Sequence, residues 1–279
     1  MLKTAGLVAS LARPDAISLA RDVLALLERE GLHVWLEEEL ATRLHRPELA
    51  RPVSSMDVDL LVIMGGDGTI LRTCLVLPQH ADPLILTVNM GERGFLAQFE
   101  PDEALRAVEE CLAGRAQVVE KMRISAEADG RRLPDALNEV CLTSGVPVKL
   151  FEAEVYRDDE LLTCLRGDGL IVATPAGSTA YSLSCGGPVV DPGLKCILLT
   201  PICPMRPAWP FVLPPEAELT IEVVRAKEPV AVVDGQEIFG LSVGSVVRAR
   251  ASERPLKFVR LRERFYEKLA ARGRGRHER

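Results

Sequence analysis

The sequence contains no C-x-x-C pair: its seven cysteines, at 74, 111, 141, 164, 185, 196 and 203, are scattered and odd in number. A disulfide framework or a zinc site would need them paired or clustered, so free thiols in a reducing compartment are expected. A basic surplus is missing as well. Lys and Arg number 34 against 40 Asp and Glu, a formal net charge of −6, which argues against a general nucleic-acid binder, whose phosphate contacts demand excess positive charge. The one basic cluster is the tail Arg272-Gly-Arg-Gly-Arg-His-Glu-Arg279, which has the composition of a ragged, solvated terminus. No apolar run approaches the ~18 residues of a membrane span. The start, Met1-Leu-Lys-Thr-Ala-Gly6, lacks the charge, apolar stretch and cleavage site of a secretory leader. A soluble cytoplasmic protein with no membrane or nucleic-acid partner is expected.

What is present is material for a core. Hydrophobic residues make up 47% of 279, enough for one large domain or, better, two of ordinary size. The first third alternates strand and helix patterns. Ala5–Ala9 reads as a strand, Pro14 opens a helix with Ile17, Ala20, Val23, Leu24 and Leu27 on one face, and Gly31 closes it. His33–Leu36 reads as a second strand. Asp59–Met64 and Leu84–Val88 are continuous apolar runs of the kind buried on both faces of a parallel sheet. Pro101 sits near the first turn of a helix whose buried face is expected to be Leu105, Val108 and Leu112, with Gly114 placed to end it.

After about residue 120 the texture becomes all-β. Arg123–Ala128 alternates into an Asp129-Gly130 turn. Strands are expected at 136–142, 152–156, 170–173, 195–199, 218–225, 229–233, 245–251 and 257–261. The expectation is therefore an α/β domain over 1–120 and a β-rich domain over 121–262, with a final helix at 263–271 packing back on the first. No internal repeat or low-complexity linker interrupts this plan.

Two stretches carry chemistry. Gly65-Gly66-Asp67-Gly68-Thr69 follows the buried strand directly and opens a helix that contains Arg72. Glycines there let backbone N–H groups approach a phosphate, and a helix start adds positive potential. A carboxylate would repel phosphate, so Asp67 makes sense as a Mg²⁺ ligand or as acceptor of a proton from an attacking hydroxyl. A plain strand–turn–helix corner is the bland alternative. The dinucleotide fingerprint fails because Leu71 stands where its third glycine belongs, and no Walker A sequence occurs. The second stretch runs from Gly167 to Pro188, GDGLIVATPAGSTAYSLSCGGP. Its hydroxyls and amides around Thr179, Ala180, Tyr181, Ser182, Leu183 and Ser184 suit a nucleotide's ribose and phosphates, and Tyr181 suits a base. The bland alternative is a well-capped helix.

With Ala-Leu-Asn138-Glu139-Val, Thr200-Pro-Ile-Cys-Pro204 and Val233-Asp-Gly-Gln236, these segments come in the order seen in NAD kinases, which the chain resembles from about 60 to 236. Asn89-Met-Gly-Glu-Arg-Gly-Phe-Leu96 is similar to that family's glycine-containing loop. Diacylglycerol and sphingosine kinases share GGDGT, so a lipid kinase is one alternative, although no basic amphipathic helix supports it. A non-catalytic NAD-sensing module is the other.

The resemblance implies a phosphofructokinase-like α/β domain followed by a β-rich one, with NAD bound between them. It also implies a divalent cation (Mg²⁺), ATP or polyphosphate as donor, and a homo-oligomer. Asp67 becomes the proton acceptor at the 2′-hydroxyl, with Gly68 beside it. NAD contacts carry over to Arg72, Asn138, Glu139, Lys149, Arg166, Asp168, Thr179–Ser184 and Gln236, and Gly65, Gly66, Gly68 and Thr69 form the phosphate loop. Met205-Arg-Pro-Ala-Trp-Pro210 departs from the family's usual loop, so no residue is carried over from it.

Overall fold

A computed structural model describes residues 2–91, 94–260 and 265–273. The chain opens with β1 (Thr4–Ala9), α1 (Pro14–Arg29), β2 (His33–Leu36), α2 (Glu38–Arg43), β3 (Leu60–Gly65), α3 (Asp67–Leu75), β4 (Leu84–Asn89), α4 (Ala104–Leu112) and β5 (Gln117–Lys121). It continues with β6 (Ile124–Ala128), β7 (Arg131–Arg132), β8 (Glu139–Ser144), β9 (Phe151–Arg157), β10 (Glu160–Gly167), β11 (Gly169–Ala173) and the single turn α5 (Tyr181–Ser184). Then come β12 (Ile197–Ile202), β13 (Phe211–Leu213), β14 (Leu219–Arg225), β15 (Pro229–Val233), β16 (Glu237–Gly240), β17 (Val246–Ala251), β18 (Leu256–Arg260) and α6 (Phe265–Gly273). It divides into two units: Met1–Lys121 with Leu256–Arg279, and Met122–Pro255.

The first unit is α/β. Its sheet runs β2-β1-β3-β4-β18-β5, parallel except where β5 meets β18. All six residues of β3 are buried, which explains a strand without polar alternation. Pro14 starts α1 with its φ already helical, and Ala16, Ala20, Val23, Leu24 and Leu27 face the core. Gly31 follows that helix at φ +80°, a conformation that favours glycine. The chain leaves β1 for β2 on one side and returns as β3 on the other. That makes a topological switch point, and ligands of open α/β sheets bind outside the carboxyl ends of strands at such points. Gly65, the last residue of β3, lies there.

The second unit holds two six-stranded antiparallel sheets, β10-β9-β14-β17-β6-β7 and β13-β12-β11-β8-β15-β16. In the latter, Ala173 pairs with Glu139 and Val233 with Val140. The end of β11, the start of β8 and the end of β15 therefore meet at one edge.

Several expectations need correction. The strand expected at 257–261 is seen as Leu256–Arg260, with 261 outside the described residues, and belongs to the first unit's sheet, parallel to β4, not to the β-rich unit. The helix expected at 263–271 is seen from Phe265, with 263–264 outside the described residues, and lies with the first unit. Lys268 Nζ donates to the Ala97 carbonyl, and Phe265 sits 6.0 Å from Phe95 ring to ring. The buried face of α4 is Ala104, Ala107, Val108 and Cys111, while Leu105 is exposed. Strands β5, β10, β13 and β16 were not anticipated. Among the described residues no helix is long and apolar enough to cross a membrane. The basic tail over 274–279 and residues 92–93 of the glycine-containing loop lie outside the described residues.

Candidate active site

In the first unit, Gly66 stands just before α3 and Asp67 is its first residue. A Cβ on Gly65 would come within 2.6 Å of the Thr69 side chain, so only glycine lets α3 turn this tightly off β3. Cβ atoms on Gly66 and Gly68 would face open space, so their backbone is free to be approached. The Asp67 carboxylate accepts two backbone hydrogen bonds, from Phe95 N to Oδ2 at 2.8 Å and from Leu96 N to Oδ1 at 3.1 Å. A Cβ on Gly94 would sit 2.2 Å from Oδ1, so that glycine makes room for the carboxylate. Both oxygens are thus aimed by the backbone, and each keeps lone-pair capacity for a hydroxyl. The half-buried carboxyl of Glu37, at the end of β2, faces Arg72 at 3.6 Å. Burial raises the Glu37 carboxyl above its usual range, and Arg72 offsets only part of that.

In the second unit, three segments distant in sequence are pinned together by backbone–side-chain bonds. Thr174 donates from Oγ1 to the Leu137 carbonyl at 2.6 Å and from its amide to the Asn138 carbonyl at 2.8 Å. Its hydroxyl also accepts from Gly177 N at 3.1 Å. Asp234 accepts from the amides of Leu137 (2.7 Å), Asn138 (2.7 Å) and Glu139 (3.0 Å), and its own N–H donates to the Glu139 carbonyl at 2.9 Å. Asn138 and Glu139 are each only 7% exposed. Among the described residues, Asn138 Oδ1 and Glu139 Oε2 are buried acceptors without a hydrogen-bond partner. Two such groups on consecutive residues ask for polar partners, because an unsatisfied buried acceptor costs about 1–3 kcal/mol.

Tyr181 is exposed at the start of α5, Ser184 is exposed, and Ala180 and Leu183 are half-buried. Thr179 and Ser182 are buried. Thr179 Oγ1 donates to the Ala176 carbonyl, and the Ser182 hydroxyl shares a 2.8 Å bond with Thr200. Their side chains support the segment from beneath. Asp168 is exposed, with its carbonyl held by Thr143 Oγ1 at 2.7 Å. Arg166 pairs with Glu152 at 2.9 Å, Lys149 is exposed on the loop after β8, and Gln236 is exposed beside Asp234.

Burial, and then the neighbouring charge of Asp234, push Glu139 up to about 8. Burial raises Asp234 too, opposed by its three amides and by Arg123. Between the ordinary carboxylate range and about 8 the folded chain holds a proton on Glu139 that the unfolded chain has released. Stability is therefore fully kept below that window and falls as pH rises through it. Wild type is expected to lose more melting temperature than Glu139→Gln between about pH 5 and pH 8. Identical slopes would contradict this.

Comparison with known proteins bears directly on this arrangement. Residues 5–116 match the family model of the ATP-NAD kinase N-terminal domain, and residues 137–261 that of the C-terminal domain. An NAD kinase of Thermococcus sibiricus is 40% identical over 94% of this chain and 96% of its own length. One from Methanothermobacter thermautotrophicus is 38% identical over 95% and 94%. Among solved structures, an NAD kinase from Archaeoglobus fulgidus in complex with ATP superposes with a TM-score of 0.77 at 28% identity, covering 97% of this chain and 98% of its own. Yeast NADH kinase complexed with NADH shares the fold with a TM-score of 0.90 at 24% identity, covering 100% and 89%. Identity of this degree over nearly the whole length, with both domain models matched, makes the chain a member of the NAD kinase family.

Proposed function

We propose that the protein transfers the terminal phosphoryl group of ATP, or of polyphosphate, to the 2′-hydroxyl of the adenosine ribose of NAD, giving NADP. The observation that carries this reading is Asp67, a carboxylate oriented by two backbone amides inside a glycine corner at the sheet's switch point. Its task is to accept the hydroxyl's hydrogen bond and then its proton as the oxygen attacks phosphorus. Phosphoryl transfer has a loose transition state, so alignment and charge neutralisation contribute more than early proton removal. The open backbone at Gly66 and Gly68 suits the donor phosphates, and Arg72 supplies a cation on the helix that follows.

Magnesium fits these residues. It asks for one or two carboxylates together with substrate phosphates rather than a protein cage. No cage of three or more His, Cys, Asp or Glu occurs among the described residues, and Asp67 is the loop carboxylate available to it. When bound, the ion would neutralise charge on the phosphoryl being transferred. In the second unit, Asn138, Glu139 and the Thr179–Ser184 segment are the dinucleotide-binding residues. The reading extends to a homo-oligomer, as the family resemblance implies, and to the cytoplasm, which the scattered free cysteines favour. NADP formation from NAD and Mg²⁺, run with ATP and with polyphosphate in parallel, tests both the reaction and the donor; no NADP with either donor would refute the proposal.

Tyr181 is 45% exposed, a ring available to a base rather than one held in the core. Tyr181→Ala is expected to raise the NAD dissociation constant about tenfold while changing kcat only a few-fold, because a stacking contact acts on ground and transition states alike. Calorimetry beside steady-state rates checks this, and an unchanged dissociation constant would remove the segment from the pocket.

Oxidised nicotinamide carries a positive charge that NADH lacks, so a carboxylate near the ring favours NAD. Of the two candidates, burial and then Asp234 push Glu139 up to about 8, which weakens its pull on the cationic ring at neutral pH, so the prediction is placed on Asp168. Because Asp168 is exposed, screening limits the preference for NAD over NADH to about two- to fivefold in kcat/KM. Asp168→Asn should abolish that preference. An unchanged ratio would show that Asp168 does not set it.

A further inference from the structure

Asp234 is the first of two residues with positive φ, +50° and +65° at Gly235, in the turn joining β15 to β16. Such a turn accepts Asn-Gly or Gly-Gly equally well, so the turn alone does not call for a carboxylate. Solvent does not call for one either, since Asp234 is only 3% exposed. Burying a carboxylate is costly unless hydrogen bonds replace its water. Here they do. Oδ1 accepts from the amides of Asn138 and Glu139, and Oδ2 from that of Leu137. Those three N–H groups are the ones that β8 would otherwise leave unpaired at its start.

The neighbouring carboxyl is in the opposite position. Glu139 Oε2 is buried and has no partner among the described residues. The ionisable groups facing it are the Asp234 carboxylate from the β15–β16 turn, the Cys141 thiol on its own strand, and the Cys185 thiol after α5. None of these is a cation. The cation that acts on the pair, Arg123, acts on Asp234. Two buried carboxyls with amides for only one of them share a single negative charge, and the amides decide where it rests.

We infer that Asp234 is a positioning residue of the dinucleotide pocket: it presents Asn138 and Glu139 through their backbone amides, and its charge adds to burial in making Glu139 meet the ligand as a neutral hydrogen-bond donor rather than as an anion. The inference rests on the reading of this segment as part of the NAD site. A neutral carboxyl donates to a lone pair, such as that of a ring nitrogen, a sugar oxygen or a carboxamide oxygen. An ionised one can only accept. NAD binding should therefore weaken as pH rises past the point where Glu139 loses its proton.

The test uses the full chain labelled with ¹³C at the glutamate side-chain carboxyl, titrated without ligand, with Glu139→Gln identifying the resonance. In wild type that resonance should titrate near pH 8. In Asp234→Asn, which keeps the turn and an acceptor oxygen, its midpoint should drop by about one unit or more. Calorimetry on the same proteins should show the NAD dissociation constant rising by up to about tenfold per pH unit above each midpoint. Glu139→Gln should flatten that pH dependence. A Glu139 midpoint in the ordinary carboxylate range overturns the inference, and wild type alone decides this if Asp234→Asn does not fold. A variant that binds NAD more weakly at every pH with the midpoint unmoved reduces Asp234 to a structural residue and also overturns it. Failure of NAD to bind at any pH refutes the NAD reading instead, because the ligand-free titration judges this inference by itself.

Discussion

Asp67→Asn is expected to lower kcat by about a hundredfold to ten-thousandfold, the range for a positioned acid–base group, while the NAD dissociation constant changes no more than several-fold. Two effects act together. An amide cannot accept the hydroxyl's proton, and its NH₂ must face one of the two backbone donors, Phe95 N or Leu96 N, that the carboxylate now satisfies. The second effect mis-aims the side chain as well as weakening it, which is why the loss should appear in kcat rather than in NAD affinity. Rapid-quench or steady-state rates beside calorimetry give both numbers. Near wild-type turnover would remove Asp67 from the chemistry.

The second large effect is expected at Gly177. A Cβ there would fall 2.2 Å from the Asn138 carbonyl oxygen and 2.6 Å from its carbonyl carbon, and neither is the end of a flexible side chain. Gly177→Ala must therefore push the 174–179 segment away from the start of β8, breaking the bonds that Thr174 makes to Leu137 and Asn138. NAD affinity should fall by at least about tenfold and melting temperature by several degrees, since relieving a backbone clash costs of order 1–3 kcal/mol. Gly66 and Gly68, proposed for the donor phosphates, belong to the other unit, so ATP affinity should change little. Loss of ATP affinity with NAD affinity intact would mean that the segment has been assigned to the wrong substrate.

How much of this was legible in the sequence depends on which physical signal each element carries. Strand β3 was plain because a strand covered on both faces is apolar throughout, and all six of its residues are buried. Helix α1 was plain because its stripe, its Pro14 start and its Gly31 stop agree. Strand β10 was not, because only Leu165 and Gly167 of its eight residues are buried, so no alternation marks it. Strands β13 and β16 are short edge strands with exposed Val212 and Ile238. Strand β18 was seen but misplaced. Its pattern says only that it is buried, and its partners, β4 and β5, come from pairing that no local signal encodes. The strand expected at 195–199 runs from Ile197 through Pro201 to Ile202. Strand β13 pairs only Ile197–Leu199, so the missing N–H of Pro201 deprives no neighbour.

The site divides along the same line. The glycines, hydroxyls and the Asn138-Glu139 pair announce themselves by type and order. The role of Asp234 does not, because Asp-Gly reads as a turn and it is a turn; its burial and its three amides exist only once β15 lies beside β8. The same fact explains the start of β8 at Glu139 rather than 136. The amides of Leu137 and Asn138 go to a carboxylate and not to a ladder. The two amides on Asp67 come from Phe95 and Leu96, 28 and 29 residues away, a contact no spacing rule reveals.

The most direct test of the central claim is to follow the phosphoryl group itself. The protein would be incubated with NAD, Mg²⁺ and ATP labelled at the terminal phosphate, and the labelled product resolved by chromatography and ³¹P NMR. The account predicts label as a monoester on the 2′-oxygen of the adenosine ribose, in wild type and not at a comparable rate in Asp67→Asn. Label released only as inorganic phosphate, or NAD bound tightly with no NADP formed, would contradict it.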